Sequence, residues 1–211
     1  MDSTFLFNRW QQSKSDVFWG EIAACDHVVQ VYDNDNIFID SLAGFVGGGV
    51  NAGDSCIVIA TPSHIQMLEK RLTDFGLHPE SLKGERYFPF DAIETLDKFM
   101  VKDWPNERLF NRAVKEVFEN AGFPKRRVRA FGEMVALLWA LGLKEATIEL
   151  EHMWNKFCQH NPFCLFCAYP KNGFTQDMNE SLSHICCTHS KVINGSKKQI
   201  AEVSYREISP N

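Results

Sequence analysis

Cys56-Ile57-Val58-Ile59-Ala60 is an unbroken apolar run between Gly53-Asp54 and Thr61-Pro62. A strand with one face in water alternates apolar and polar side chains. A run without a polar position is a strand buried on both faces, which is typical of the centre of a parallel sheet. Parallel neighbours need crossover connections, and helices then cover both sides of the sheet. This one segment therefore directs the chain towards an α/β sandwich.

The rest of the sequence repeats the theme. A strand is predicted at about 27–32, followed by a helix at 36–47 that carries Phe38, Leu42 and Phe45 on one face. Gly47-Gly48-Gly49 reads as the turn that stops this helix. Thr61-Pro62 reads as N-cap and first residue of the next helix, with Ile65, Leu68 and Leu72 inward and Gly76 at its end. Further strands are expected at 87–90, 128–131, 163–169 and 199–206. Helices are expected near 92–100, 106–121, 133–141, 144–159 and 176–186. In the last but one, Ala146, Leu150, Met153, Trp154 and Phe157 face inward. Strands separated by helices imply a mainly parallel sheet flanked on both faces, a three-layer sandwich. Residues 1–20 read as a polar arm bearing Phe5, Phe7, Trp10, Phe18 and Trp19, and residues 21–208 as a single domain.

Composition narrows the function classes. With 211 residues, 45% apolar and 23% charged, the chain is of ordinary globular type. Its net charge of −5 leaves no broad basic face, so direct nucleic-acid binding is not expected. The run Lys125-Arg126-Arg127 reads as a solvated loop. Met1-Asp2-Ser3-Thr4 lacks the basic and apolar regions of a signal peptide, and Met134–Leu143 is half a membrane span. A cytoplasmic, non-membrane protein with mostly reduced cysteines is the expectation.

The junction after the first strand excludes a common activity. A nucleotide-hydrolysing α/β protein carries there a glycine-rich loop ending in Lys-Ser or Lys-Thr. This chain has Tyr32-Asp33-Asn34-Asp35-Asn36. A helix N-terminus attracts anions, and Asp33 and Asp35 would fill that site from within and repel a phosphate. The Gly47–Gly49 cluster does not replace the loop, because it follows a helix and leads into a strand. No G-x-S-x-G elbow or Cys/His protease signature appears, so no catalytic residue is assigned.

Ligands of open α/β sheets sit beyond the carboxyl ends of the strands. That rule selects Tyr32, Asp33, Thr61, His64, Phe90, Asp91, Glu133 and Tyr169, expected to converge on one edge as a pocket for a small organic molecule. The plain alternative is that Asp33, Asp35 and Thr61 cap helices, and that Glu133 is an acidic first-turn residue. His27, just before the first strand, reads equally as a core or capping histidine. A second constellation is the Cys/His-rich C-terminal quarter. Cys164 and Cys167 have zinc-like spacing, but strand alternation puts them on opposite faces. His184, Cys186, Cys187 and His189 form the candidate metal set, for zinc or iron. Buried thiols are the simpler reading, and no cofactor is expected.

Taken together these residues resemble the MEDS family, the methanogen/methylotroph, dichloromethane-regulator sensory domain. The matching stretches are HVVQVYDNDNIFIDSLAGFVGGGVNAGDSCIVIATPSH at 27–64, RAFGEMVALLWALG at 129–142, LEHMWNKFC at 150–158, FCLFCAYP at 163–170 and ICCTHSKVI at 185–193. The resemblance implies a KaiC/RecA-like fold without a Walker A motif and a role in sensing simple hydrocarbon derivatives. By motif position it implies ligand contacts at His27, Tyr32, Glu133, Cys167, Tyr169 and His189. No helix-turn-helix, kinase or other output domain is found in the 211 residues. The expected function is a non-enzymatic sensor that binds a small molecule and regulates a partner protein, as in transcriptional control. The competing expectations are a ligand-free module for partner binding or self-association, and a Cys/His metalloprotein.

Overall fold

The computed structural model describes residues 19, 22, 23, 26–171, 189–196 and 199–205, with 194–196 and 199–205 described by backbone alone. The elements run β1 (His27–Tyr32), α1 (Asp35–Asn51), β2 (Ser55–Ala60), α2 (Pro62–Asp74), α3 (Pro79–Leu82), β3 (Tyr87–Asp91) and α4 (Ala92–Asp97). A two-stranded ribbon, β4 (Met100–Val101) and β5 (Trp104–Pro105), precedes α5 (Glu107–Asn120), β6 (Val128–Gly132), α6 (Met134–Ala140) and α7 (Lys144–His160). Then follow β7 (Cys164–Pro170), β8 (Lys191–Ser196) and β9 (Gln199–Tyr205).

One sheet has the order β3-β2-β6-β7-β1-β8-β9. Its first six strands are parallel and β9 is antiparallel to β8. All six residues of β2 are buried, as the apolar run demands. Two cores lie against the two faces. One packs Phe38, Leu42 and Phe45 of α1 and Leu68 and Leu72 of α2 on the sheet. The other packs α4 to α7, with Trp154 fully buried and edge-on to Phe110 at 5.0 Å between ring centres. Trp19 enters the first core against Phe45 and Phe166, so this aromatic of the arm packs on the body. No helix among the described residues is long and apolar enough to cross a membrane.

Several expectations need correction. Gly47-Gly48-Gly49 does not stop the first helix. All three lie inside α1, and the turn falls at Ala52-Gly53, where Gly53 has φ +80°. The reason is close packing: a Cβ on Gly49 would lie 2.5 Å from Cys56 Sγ and 2.8 Å from Arg129 Cδ. Arg129 is buried at 2% exposure, pairs through Nε with Asp54 Oδ2 at 2.9 Å, and donates from Nη1 to the Trp19 carbonyl at 2.8 Å. The glycine stripe makes room for this guanidinium. The helix expected over 92–100 ends at Asp97, and the β4–β5 ribbon takes its place. Strand β8 was not expected. The helix expected at 176–186 and Phe5, Phe7, Trp10 and Phe18 lie outside the described residues. Lys125, Arg126 and Arg127 are exposed, as a solvated loop should be.

Candidate functional site

Of the eight residues selected by the strand-end rule, Tyr32, Asp33, Thr61, His64, Phe90, Asp91 and Glu133 lie at or just beyond the carboxyl ends of β1, β2, β3 and β6, and Tyr169 alone turns away from that edge. Tyr169 joins His27, Cys167 and His189, the residues implied by the family resemblance, in the interior on the α7 side of the sheet.

At the carboxyl edge, Glu133 follows β6 and is buried. Its Oε2 accepts from Thr61 N at 2.8 Å and from Thr61 Oγ1 at 3.3 Å. Its Oε1 accepts from His64 Nδ1 at 2.7 Å. The hydrogen bond to Glu133 raises the His64 pKa above its ordinary value, although burial acts against it. His64 Nε2 looks towards Asp35 Oδ1 at 4.0 Å. Tyr32 stacks on Phe38 with ring centres 4.8 Å apart, and burial then the Glu133 charge push its phenol up. The capping reading is corrected in detail. Asn34, not Asp33 or Asp35, caps α1 by accepting from Ile37 N at 3.1 Å. Thr61 occupies the N-cap position of α2 but makes no cap hydrogen bond, because its polar groups are taken by Glu133. Asp33 pairs with Lys171 at 3.4 Å. Asp91 caps α4. The edge is thus a hydrogen-bonded knot joining the start of α2 to the end of β6, with Asp35 of α1 beside His64 at 4.0 Å.

The interior centre arises from strand register. On β1 the residues His27, Val29 and Val31 face α7, and on β7 so do Leu165, Cys167 and Tyr169. Cys164 faces the opposite core, as alternation requires of its CxxC spacing. His189 arrives two residues before β8. Ser190 fixes it, donating from its N–H to the His27 carbonyl at 2.7 Å and accepting from His27 N at 3.0 Å. Glu151 projects from the middle of α7, in the buried stripe Thr147, Leu150, Trp154 and Cys158.

Four side chains meet there. Cys167 Sγ is 3.5 Å from His27 Nε2, and Glu151 Oε2 is 3.6 Å from both His27 Nε2 and His189 Nε2. One N, O or S atom from each of the four lies within 4.8 Å of the others, and all four residues are buried. The imidazole rings are 3.9 Å apart. Tyr169 donates its phenolic O–H to Glu151 Oε1 at 2.5 Å, which orients the carboxyl. Burial pushes the Glu151 pKa up to about 7, against the lowering effect of the Tyr169 bond. Burial, then the Glu151 charge, pushes the Cys167 thiol well above its ordinary value. Titratable groups gathered away from water with displaced pKa values are candidates for a functional site.

Donor chemistry and spacing also fit a divalent transition metal. Four ligands at about 2.0–2.3 Å around a tetrahedral ion stand roughly 3.3–3.8 Å from one another. Three of the six separations, at 3.5, 3.6 and 3.6 Å, fall in that interval, and all six are within 4.8 Å. The metal set expected from sequence is therefore redrawn around His189: His27, Glu151 and Cys167 join it, whereas His184, Cys186 and Cys187 lie outside the described residues.

Glu151 is the member that sequence reasoning missed. The signal was present, since a helical period that turns Leu150 and Trp154 inward must also turn Glu151 inward. A carboxylate on a buried stripe is the anomaly to follow. His64 was selected by the strand-end rule, and the structure gives it Glu133 as partner.

The fold is similar to that of a KaiC-like protein from Pyrococcus horikoshii OT3. The TM-score is 0.55 at 15% identity, over 87% of this chain and 81% of that one. An uncharacterised protein of Pyrococcus horikoshii, solved in complex with an unknown peptide, superposes with a TM-score of 0.56 at 12% identity. That match covers 80% of this chain and 76% of the other. At such identities the likeness shows the fold alone, and that fold is KaiC-like. No curated protein matches the sequence. Residues 26–190 match the model of MEDS, the MEthanogen/methylotroph, DcmR Sensory domain.

Proposed function

Because this chain belongs to the MEDS sensory-domain family, we propose that it is a non-enzymatic sensor whose input is a small, hydrocarbon-derived molecule read at the buried His27–Glu151–Cys167–His189 centre. The observation that carries this reading is the convergence of four residues far apart in sequence on one water-excluded point. Isolated polar and ionisable groups are expensive to bury, and packing alone gives no reason to gather four of them. A sensor rather than a catalyst is supported by the thiol. With its pKa driven up by burial, Cys167 stays protonated at neutral pH and is a poor nucleophile.

The geometry also suggests the output route. His189 lies two residues before β8, and the bonds of the intervening Ser190 tie it to β1. An occupant that engages His189 would bias the start of β8 and the connection that enters it. We place the receiver in a partner protein, with transcriptional control as the setting, or in a second copy of the chain.

The ligand separations favour a second reading, in which the centre holds a zinc-like ion. Three of His27, Cys167, His189 and Glu151 would bind it while the small molecule is present, the fourth giving up its position to that molecule, Tyr169 would orient Glu151, and the ion would supply a Lewis-acid contact. Native against denaturing mass spectrometry of the reduced full chain tests both. A non-covalent mass that disappears in Cys167→Ala supports the centre, and its size distinguishes an organic ligand from a metal. A mass that persists unchanged in that variant places the occupant elsewhere and rejects the assignment.

A further inference from the structure

The end of α5, the turn after it and the end of α7 border a half-open cleft of about 490 Å3 at the amino side of the sheet. Pockets for small molecules span roughly 300–1,000 Å3, with apolar walls and a few polar groups that set orientation. This one has such a division. Its floor is aromatic: Phe118 is fully buried and meets Phe123 and Phe157 edge-on, at ring-centre distances of 5.8 and 5.3 Å. Its rim is cationic, with Lys115 from α5 and Lys156 from α7 on opposite helices, and Glu119 is the one carboxylate in the lining. Asn161 adds an amide. Its Nδ2 donates to the Phe157 carbonyl at 3.0 Å, and the second N–H of that nitrogen is available to an acceptor.

Charge decides among occupants. Both lysines have carboxylate neighbours, Glu119 for Lys115 at 3.7 Å and Glu107 for Lys156. These pairs are solvent-exposed, and exposed pairs contribute about 0–1 kcal/mol, so either ammonium can change partner at little loss. A cation would meet two lysines against one lining carboxylate. A neutral hydrocarbon would use the floor and ignore the rim. An anion with an apolar body uses both.

We infer that this cleft is a second ligand site, separate from the buried centre, for a small amphipathic carboxylate. The ring or branched chain of such a ligand rests on Phe118, Phe123 and Phe157, and its carboxylate lies between Lys115 and Lys156 with the Asn161 amide as a further donor. Phe157 belongs to the same helix as Glu151, roughly 9 Å further along its axis, so an occupant would rest on the element that carries the centre's carboxyl.

The test is calorimetric titration of the full chain with 2-naphthoate and, separately, with its neutral amide. The expected result is saturable binding of one naphthoate, with the amide at least tenfold weaker. In the Lys115→Glu/Lys156→Glu double variant, naphthoate affinity should fall tenfold or more and amide affinity should not change. Both positions are exposed, so this variant should keep the wild-type circular dichroism spectrum, with a melting temperature lowered only slightly by the new like-charge pairs at Glu119 and Glu107. No saturable binding at millimolar naphthoate, equal affinities for acid and amide, or indifference to the charge reversal would each overturn the proposal.

Discussion

Replacing Glu151 by Gln should change how stability depends on pH, by an amount the structure sets. In the metal-free protein burial raises the Glu151 pKa from 4.5 to about 7. A carboxyl with a raised folded-state pKa binds its proton more tightly when folded. Its contribution is fully favourable below the unfolded value, near 4.5, and is lost as pH rises through about 7. At 1.36 kcal/mol per pKa unit the full loss is about 3 kcal/mol, and most of it falls between pH 5 and pH 8. Glutamine keeps the shape and an acceptor for the Tyr169 hydroxyl, but it does not titrate. Urea unfolding of wild type and Glu151→Gln should therefore be compared at pH 5 and pH 8, with a chelator present throughout. The variant should gain about 2–3 kcal/mol on wild type across that interval. Parallel pH profiles would refute the reasoning, because Glu151 would then lack the raised pKa that burial imposes. Without chelator a bound cation would hold the carboxyl ionised, and the difference should shrink.

Other perturbations probe the fold around the site. Asp54→Ala leaves the Arg129 guanidinium buried without its partner, and denaturant titration should show a loss of about 3–5 kcal/mol. An Asp54→Leu/Arg129→Met double variant should recover most of it. Gly49→Ala forces a methyl towards Cys56 Sγ and Arg129 Cδ, and should lower stability by about 1–3 kcal/mol in the same assay. Glu133→Gln removes the charge that raises the His64 pKa. The His64 titration followed by NMR should move to lower pH, and an unmoved titration would deny the hydrogen bond. The sign for His64 is opposite in consequence to that of an ion-paired carboxylate: its contribution is complete below its unfolded pKa and is lost as pH rises through the folded one.

The sheet was legible because burial on both faces leaves a direct mark on sequence. The apolar run at Cys56–Ala60, the Thr61-Pro62 helix start and the Phe38, Leu42 and Phe45 stripe all correspond to elements in place. The Gly47–Gly49 error has a physical cause. Glycine marks either a turn or a close approach, and only the tertiary position of Arg129 shows that this is the second. The candidate residues were legible as types but not as a constellation. The strand-end rule found the Glu133, Thr61 and His64 knot. It misplaced Tyr169, whose hydroxyl points inward to Glu151 because alternation on β7 turns it to the α7 face. The meeting of His27 with Cys167 and His189 depends on β1 lying between β7 and β8, and strand order is a property no local pattern encodes.

The most direct measurement is NMR of the histidine side chains during titration. The reduced full chain would be titrated with small alcohols, thiols, amines and halogenated hydrocarbons, and separately with Zn2+. The account predicts that at least one of these moves the ring resonances of His27 and His189 together and saturably, while the exposed His78 and His152 stay still. If no titrant moves the two buried rings, or if they move only in step with the exposed ones, the buried centre is not where this protein receives its signal.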